Sequence, residues 1–112
     1  MHKLILLLVL AQGVTDSSIL IGMEGPAQSF STDEENLGMH LVIRHVNAEG
    51  GIHGRKIEVA AYPRSRDNIV EQALANVKRL NEEDRVFLLF NFGGPAAVPI
   101  GDYAMHNDLP YN

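Results

Sequence analysis

Three short apolar runs alternate with amphipathic segments along this chain of 112 residues. The runs span residues 19–23, 57–62 and 86–92, and each has the length and composition of a strand buried in a sheet. The segments between them have helical periodicity, so strands and helices are expected to alternate. This order predicts an α/β fold: a doubly wound parallel sheet with helices on both faces, joined by right-handed crossovers.

Two helices are indicated by apolar residues that recur every three or four positions. Thr32 and Glu35 match the capping box T-x-x-E, whose side chains satisfy free N–H groups at a helix start. The first helix is expected to end near Ala48, and the second to run from about Asp67 to the acidic residues 82–84. Their apolar faces are predicted to carry Leu37, Leu41, Val42 and Val46 in the first helix, and Ile69, Ala73, Val77 and Leu80 in the second.

Turn-forming residues mark the remaining boundaries. Glu24-Gly25-Pro26 is expected to end the first strand, because proline and glycine interrupt regular structure. A third helix is expected over residues 95–106, and residues 109–111 are expected to begin a fourth strand. The chain would then break off inside or just before that strand.

Composition narrows the classes of protein to which the chain can belong. Its length suits one small domain, and a net charge of −5 argues against a general nucleic-acid binder, which needs a basic surface. Cysteine is absent, which excludes disulfides and thiolate chemistry.

The first thirteen residues, MHKLILLLVLAQG, have the layout of a secretory leader. A lysine precedes an apolar run over residues 4–11, and Ala11-Gln12-Gly13 offers the small-x-small pattern of a cleavage site. We therefore expect a short signal peptide over residues 1–13, removed after Gly13, and a periplasmic or extracellular protein. The alternative is a buried N-terminal strand.

Ligands bind at the carboxyl ends of the strands in a doubly wound sheet, so three loops qualify: residues 24–31, 62–66 and 92–97. None carries G-x-G-x-x-G or a P-loop, and no cofactor is expected. Gly93 and Gly94 would let the backbone approach a ligand and point the next helix's N–H groups at its carboxylate or phosphate. Alternatively, they only form a tight turn before Pro95.

Other candidate residues leave alternatives open. Arg64 and Arg66 either form a solvated pair or favour the binding of an anionic ligand. Phe30 either packs onto the first helix as a hydrophobic staple or forms an apolar wall of the cleft. His40 and His45 lie on different faces of one helix, so no metal site is expected. No Ser/His/Asp grouping can be assembled, which indicates a non-enzyme.

The stretch NAEGGIHGRKIEV, residues 47–59, joins the first helix to the second strand. Gly50 or Gly51 is expected to adopt the left-handed conformation that ends a helix, and Gly54 to turn the chain. Because this joint precedes the strand, it lies away from the ligand edge. We interpret it as a structural turn without chemistry of its own.

With these elements placed, the chain resembles the N-terminal part of the leucine/isoleucine/valine type of periplasmic substrate-binding protein of ABC transporters, fold type I. Three stretches carry the resemblance: Ile19-Leu20-Ile21-Gly22 with Gly25-Pro26 and Phe30, then the joint at residues 46–57, and then Phe92-Gly93-Gly94-Pro95. Residues 14–112 would then form a partial N-terminal lobe.

The resemblance implies a non-catalytic protein that captures an amino acid or related small carboxylate and delivers it to a membrane permease. It places ligand-binding residues at Gly25, Pro26 and Phe30 of the first loop, and at Gly93, Gly94, Pro95 and Ala96 of the third. Two departures, missing hydroxyls in the third loop and Pro63-Arg64-Ser65-Arg66 in place of an Asp pair, leave an anionic or aromatic acid open. The alternatives are a sensor or receptor domain of the same fold and a small flavodoxin-like enzyme.

Overall fold

The computed structural model describes residues 10–26, 34–91 and 94–112. Strands and helices alternate as the sequence predicts. In chain order they are β1 (Ser18–Pro26), α1 (Glu34–Ala48), β2 (Lys56–Arg64), α2 (Ile69–Glu82), β3 (Leu88–Asn91) and α3 (Ala97–His106), the last preceded by a 3-10 turn over Gly94–Ala96. The predicted α/β fold class is confirmed.

The sheet is parallel, with the strand order β2-β1-β3. A fourth strand begins on the free side of β3, where Leu89 forms a parallel bridge with Tyr111. The Leu89 N–H donates to the Pro110 carbonyl at 2.8 Å, and the Asn112 N–H donates to the Leu89 carbonyl at 3.0 Å. The strand predicted at residues 109–111 is therefore confirmed at its first bridge.

The strand order places helices on opposite faces. Because β2 and β3 lie on opposite sides of β1, two right-handed crossovers put α1 on one face and α2 on the other. The face under α2 and α3 holds the core, and the absence of a side chain at Gly22 lets Val86 and Leu80 approach β1 closely. The buried core residues are Ala73, Val77, Leu80, Val86, Leu89, Ala96, Ile100, Ala104 and Leu109.

The predicted apolar face of α1 is less buried than that of α2. Leu41 and Val42 are 52% and 61% exposed, whereas Ala73, Val77 and Leu80 of α2 are fully buried. The physical reason is that α1 packs mainly on the edge strand β2, while α2 packs on β1, β2 and α3. None of the helices in the described ranges is long and apolar enough to span a membrane.

Strand boundaries differ from the predictions at two places. β1 does not end before Glu24-Gly25-Pro26 but continues through it, and Glu24 is fully buried in the strand. β3 begins at Leu88, two residues after the start of the predicted run of residues 86–92. Thr32, the predicted cap of α1, lies outside the described residues.

The joint between α1 and β2 is formed by two successive turns. The Gly51 N–H donates to the Val46 carbonyl and the Gly50 N–H to the Asn47 carbonyl, which is the Schellman pattern of helix termination. Gly50 and Gly51 both have positive φ, 103° and 80°, so the predicted left-handed residues are confirmed. His53 and Gly54 then form a tight turn with two positive φ values, closed by paired hydrogen bonds between Ile52 and Arg55.

Asn47 fastens this joint to the sheet. Its side-chain amide donates to the Ile57 carbonyl at 2.9 Å, and its amide oxygen accepts from the Ile57 N–H at 2.8 Å. β2 lies at the edge of the described sheet, so Asn47 satisfies backbone groups that would otherwise face solvent. The N-x-x-G-G-I-x-G pattern thus has a structural cause at each of its polar and glycine positions.

The residues before β1 also pack on the sheet. Gln12 donates its side-chain amide to the Asn81 side-chain oxygen at 2.9 Å and to the Val86 carbonyl at 3.0 Å. The Gly13 carbonyl accepts from the Leu20 N–H at 2.8 Å, and Val14 bridges Ile19 in antiparallel fashion. The leader predicted over residues 1–13 stays a prediction, but its last residues contact the amino end of the sheet.

Candidate ligand-binding site

The strand order reverses at β1, which creates a crevice at the carboxyl edge of the sheet. The connection that follows β1 leads towards β2 and the one that follows β3 leads away from it, so the two segments diverge. In open α/β sheets, ligands bind in the crevice outside such a switch point.

A cavity of about 360 Å³ lies at this edge. It is formed where the ends of β1 and β2 meet the start of α2 and the 3-10 turn. Three of the predicted site residues line it: Pro26, Gly94 and Pro95. The rest of the described lining is contributed by Arg64, Ser65, Arg66 and Ile69.

The other predicted site residues have different positions. Gly25 is buried near the end of β1 and does not line the cavity. Ala96 is fully buried in the core under α3 and does not line the cavity, so its role in ligand binding stays a prediction. Packing of the 3-10 turn against α2 turns this methyl group inward. Phe30 and Gly93 lie outside the described residues.

A buried ion pair between β1 and β2 lies beside the cavity. Nη1 of Arg64 lies 3.0 Å from Oε2 and 3.2 Å from Oε1 of Glu24, and both side chains are almost completely buried. Asn91 donates its side-chain amide to Oε2 of Glu24 at 2.5 Å, and Asn76 of α2 donates its side-chain amide to the Pro63 carbonyl of β2 at 3.2 Å. One carboxylate thus links the ends of all three strands.

The environment of Glu24 shifts its pKa in two opposing directions. Burial, the larger effect, raises the pKa of the Glu24 carboxyl above its ordinary value, while the Arg64 charge and the side-chain amides of Asn76 and Asn91 partly oppose that rise. Of the two arginines considered from sequence, Arg64 is therefore not solvated. Arg66 is exposed at the cavity.

This network was not predicted from the sequence, although a signal for it exists. Glu24 lies two and four residues after Gly22 and Leu20 in β1, and Arg64 lies two residues after Tyr62 in β2. Alternation puts all of these side chains on one face of the sheet. Opposite charges at the ends of adjacent parallel strands on one face would have indicated a pair.

Gly94 allows the loop after β3 to approach this pair. Its φ is +80°, and a Cβ atom at this position would lie 3.4 Å from Nη2 of Arg64. The start of α3 just beyond it has no side-chain cap, because Ala96 occupies the cap position. Gly94 was expected either to form a tight turn or to lie beside a ligand. The two alternatives are compatible, because the turn that contains Gly94 borders the cavity.

No group of three or more histidine, aspartate or glutamate side chains within residues 10–26, 34–91 and 94–112 is arranged to hold a metal ion.

Comparison with known families assigns the chain to a family. The sequence profile of the family described as periplasmic binding protein matches residues 18–112. The chain belongs to the periplasmic binding protein family. The resemblance drawn from the glycine joint and the two ligand-edge loops is thereby confirmed.

Solved structures of substrate-binding proteins share the fold of this periplasmic binding protein. An ABC transporter substrate-binding protein from Desulfitobacterium hafniense is similar with a TM-score of 0.72 and 20% identity, over 85% of this chain and 28% of the other. A branched-chain amino acid transporter substrate-binding protein from Streptococcus pneumoniae, in complex with isoleucine, has a TM-score of 0.65 and 22% identity over the same shares.

A third similar structure is a fatty acid ABC transporter substrate-binding protein from Thermomonospora curvata. It has a TM-score of 0.68 and 20% identity, over 88% of this chain and 25% of the other. The present chain thus spans about a quarter of the length of these solved relatives. No curated protein sequence matches it.

Proposed function

We propose that the protein is an extracytoplasmic solute-binding protein, which captures an amino acid or related small carboxylate for an ABC importer. The observation that carries the proposal is the cavity of about 360 Å³ at the switch point of a periplasmic binding protein sheet. The similar structures include substrate-binding proteins of a branched-chain amino acid transporter and of a fatty acid ABC transporter, which supports a carboxylate-bearing solute.

The proposed work is binding without covalent chemistry. Arg64, which lines the cavity, is paired with the buried carboxylate of Glu24, and that carboxylate also accepts a hydrogen bond from Asn91. Such a network stabilises a surface on which a ligand rests. The partner that would receive the solute is the membrane permease of an ABC transporter, and the location would be periplasmic or extracellular, reached through the leader predicted at the N-terminus.

A thermal-shift panel on the full-length protein tests the proposal. We expect at least one solute among amino acids, aromatic acids and short amides to raise the Tm in proportion to the logarithm of its concentration, because a ligand that binds only the folded state stabilises it. The solute recovered from the complex should be chemically unchanged. A panel in which no solute raises the Tm would contradict the proposal.

A further inference from the structure

The lining of the cavity separates into an apolar part and a cationic part. Pro26, Ile69 and Pro95 supply apolar surface, whereas Arg64 and Arg66 supply the charge. No aspartate or glutamate is among the described residues that line it. The cavity therefore favours a molecule with an apolar body and a negative charge.

The two guanidinium groups have different roles. Glu24 balances the charge of Arg64, because both are buried and lie 3.0 Å apart. Within the part of the chain that the structure describes, Arg66 has no ion pair or hydrogen bond, and its side chain is exposed at the cavity. The positive charge that is available to a ligand is that of Arg66.

We propose that Arg66 binds the carboxylate of the ligand and that the ligand is an apolar monocarboxylate. A guanidinium group donates two parallel N–H bonds to a carboxylate, and such charge-assisted pairs are short and directional. The ligand's apolar body lies against Pro26, Ile69 and Pro95. This inference rests on the proposed function, since it names the solute class that the same site would take.

Matched pairs of acid and amide test the charge requirement directly. Hexanoate with hexanamide, and phenylacetate with phenylacetamide, differ only in the group that Arg66 would meet. With the full-length protein, we expect the acid of at least one pair to raise the Tm and to give binding heat, and its amide to do neither. Equal binding of acid and amide, or binding of amides alone, would overturn the inference.

Variants at Arg66 test the residue. We expect Arg66→Gln to weaken acid binding by about ten- to a hundredfold, the loss of a charge-assisted hydrogen bond, while the Tm without ligand stays unchanged. Arg66→Lys should recover part of the affinity, because it keeps the charge but not the planar fork. Arg44→Gln on the exposed surface of α1 is the matched control and should bind as the wild type does.

The outcomes separate this inference from the proposed function. If solutes bind the wild type but Arg66→Gln binds them equally well, the role of Arg66 is wrong and the solute-binding function stands. If only neutral solutes bind, a carboxylate ligand is wrong in both proposals, and only the binding of a solute stands. If no solute of any kind binds, both fall.

A second inference comes from the segment before β1. The Gln12 side-chain amide donates to Asn81 and to the Val86 carbonyl, and the Gly13 carbonyl accepts from the Leu20 N–H. Gly13 has a φ of +76°, and a Cβ atom there would overlap the backbone of residues 85–87. This turn fits the sheet too closely to be an incidental contact of a segment that is removed.

We infer that residues 12 and 13 are retained in the functional protein and that any leader is cut before Gln12. Cleavage after Gly13 would remove these hydrogen bonds and place the charged amine of Val14 at the amino end of the sheet. Intact-mass and N-terminal analysis of the protein recovered from its own cells tests this. An N-terminus at or before Gln12 supports the inference, and an N-terminus at Gly13 or later overturns it.

Discussion

Replacing Arg64 by methionine is expected to destabilise the protein by about 3–5 kcal/mol at neutral pH, because it leaves a buried carboxylate without its cation. Glu24 is fully buried and Arg64 is 4% exposed, so water cannot replace the lost charge. Methionine retains an apolar side chain of adequate length, which limits the effect of lost packing. Urea unfolding of the full-length wild type and variant measures the difference.

Acid should restore part of the stability of this variant. Burial already raises the pKa of Glu24 above 4.5, and the charge of Arg64 opposes that rise. Without Arg64 the folded-state pKa rises further, so the folded state binds more protons than the unfolded state in the window above 4.5. The free energy of unfolding therefore falls as the pH increases through this window. The loss in Arg64→Met should be smaller near pH 5 than at pH 7.

A double variant provides the control for the ion pair. Glu24→Gln combined with Arg64→Met removes both charges, and it should be more stable at neutral pH than Arg64→Met alone, with less dependence on pH. If the double variant is as unstable as the single one at every pH, the loss comes from packing and not from the unpaired carboxylate. A single variant that loses under about 1 kcal/mol would show that the pair is not desolvated.

Replacing Gly51 by alanine is the second change with a large expected effect. Its φ of +80° lies in the left-handed region, which costs an L-residue about 1–2 kcal/mol. An added Cβ would also overlap the Arg55 carbonyl group and come 3.0 Å from the Lys56 nitrogen. Because these are backbone atoms, the turn itself must move, which adds about 1–3 kcal/mol.

Gly54 supplies a matched control within the same joint. Its φ is +78°, almost the same as that of Gly51, but nothing lies within 4 Å of the position that a Cβ would take. Gly54→Ala should therefore show the cost of the backbone conformation alone. Chemical denaturation of the two variants is expected to give a clearly larger loss for Gly51→Ala. Equal losses would mean that the close approach of Arg55 is relieved at little cost.

These two regions show how far the sequence could be interpreted. The joint was predictable because each of its requirements is local: a helix end needs a left-handed residue, and Gly50 and Gly51 lie where α1 must stop. The Glu24–Arg64 pair was not predicted, because its partners are 40 residues apart and belong to different strands. Glu24-Gly25-Pro26 was interpreted as the end of the first strand, because glycine and proline have low strand propensity. Pairing with β2, which is distant in sequence, stabilises the strand there.

The candidate site divides in a similar way. Pro26, Gly94 and Pro95 line the cavity at the carboxyl edge of the sheet, and this position was predictable because the carboxyl ends of parallel strands share one edge whatever their side chains are. Ala96 was placed there too, but packing against α2 turns its side chain into the core. Arg64 is buried and paired because Glu24 lies next to it, whereas Arg66 is exposed. The spacing between the two arginines does not reveal the position of Glu24.

The amino-acid sequence alone determined the α/β class, the order of the elements, the turn at residues 47–55 and the family to which the chain belongs. These follow from periodicity and from backbone requirements that act over a few residues. Only the tertiary structure decided which charges meet, which side chains are buried, and which cation is left facing the cavity. The physical reason is that desolvation and pairing depend on distances between strands, and those distances exist only once the sheet has formed.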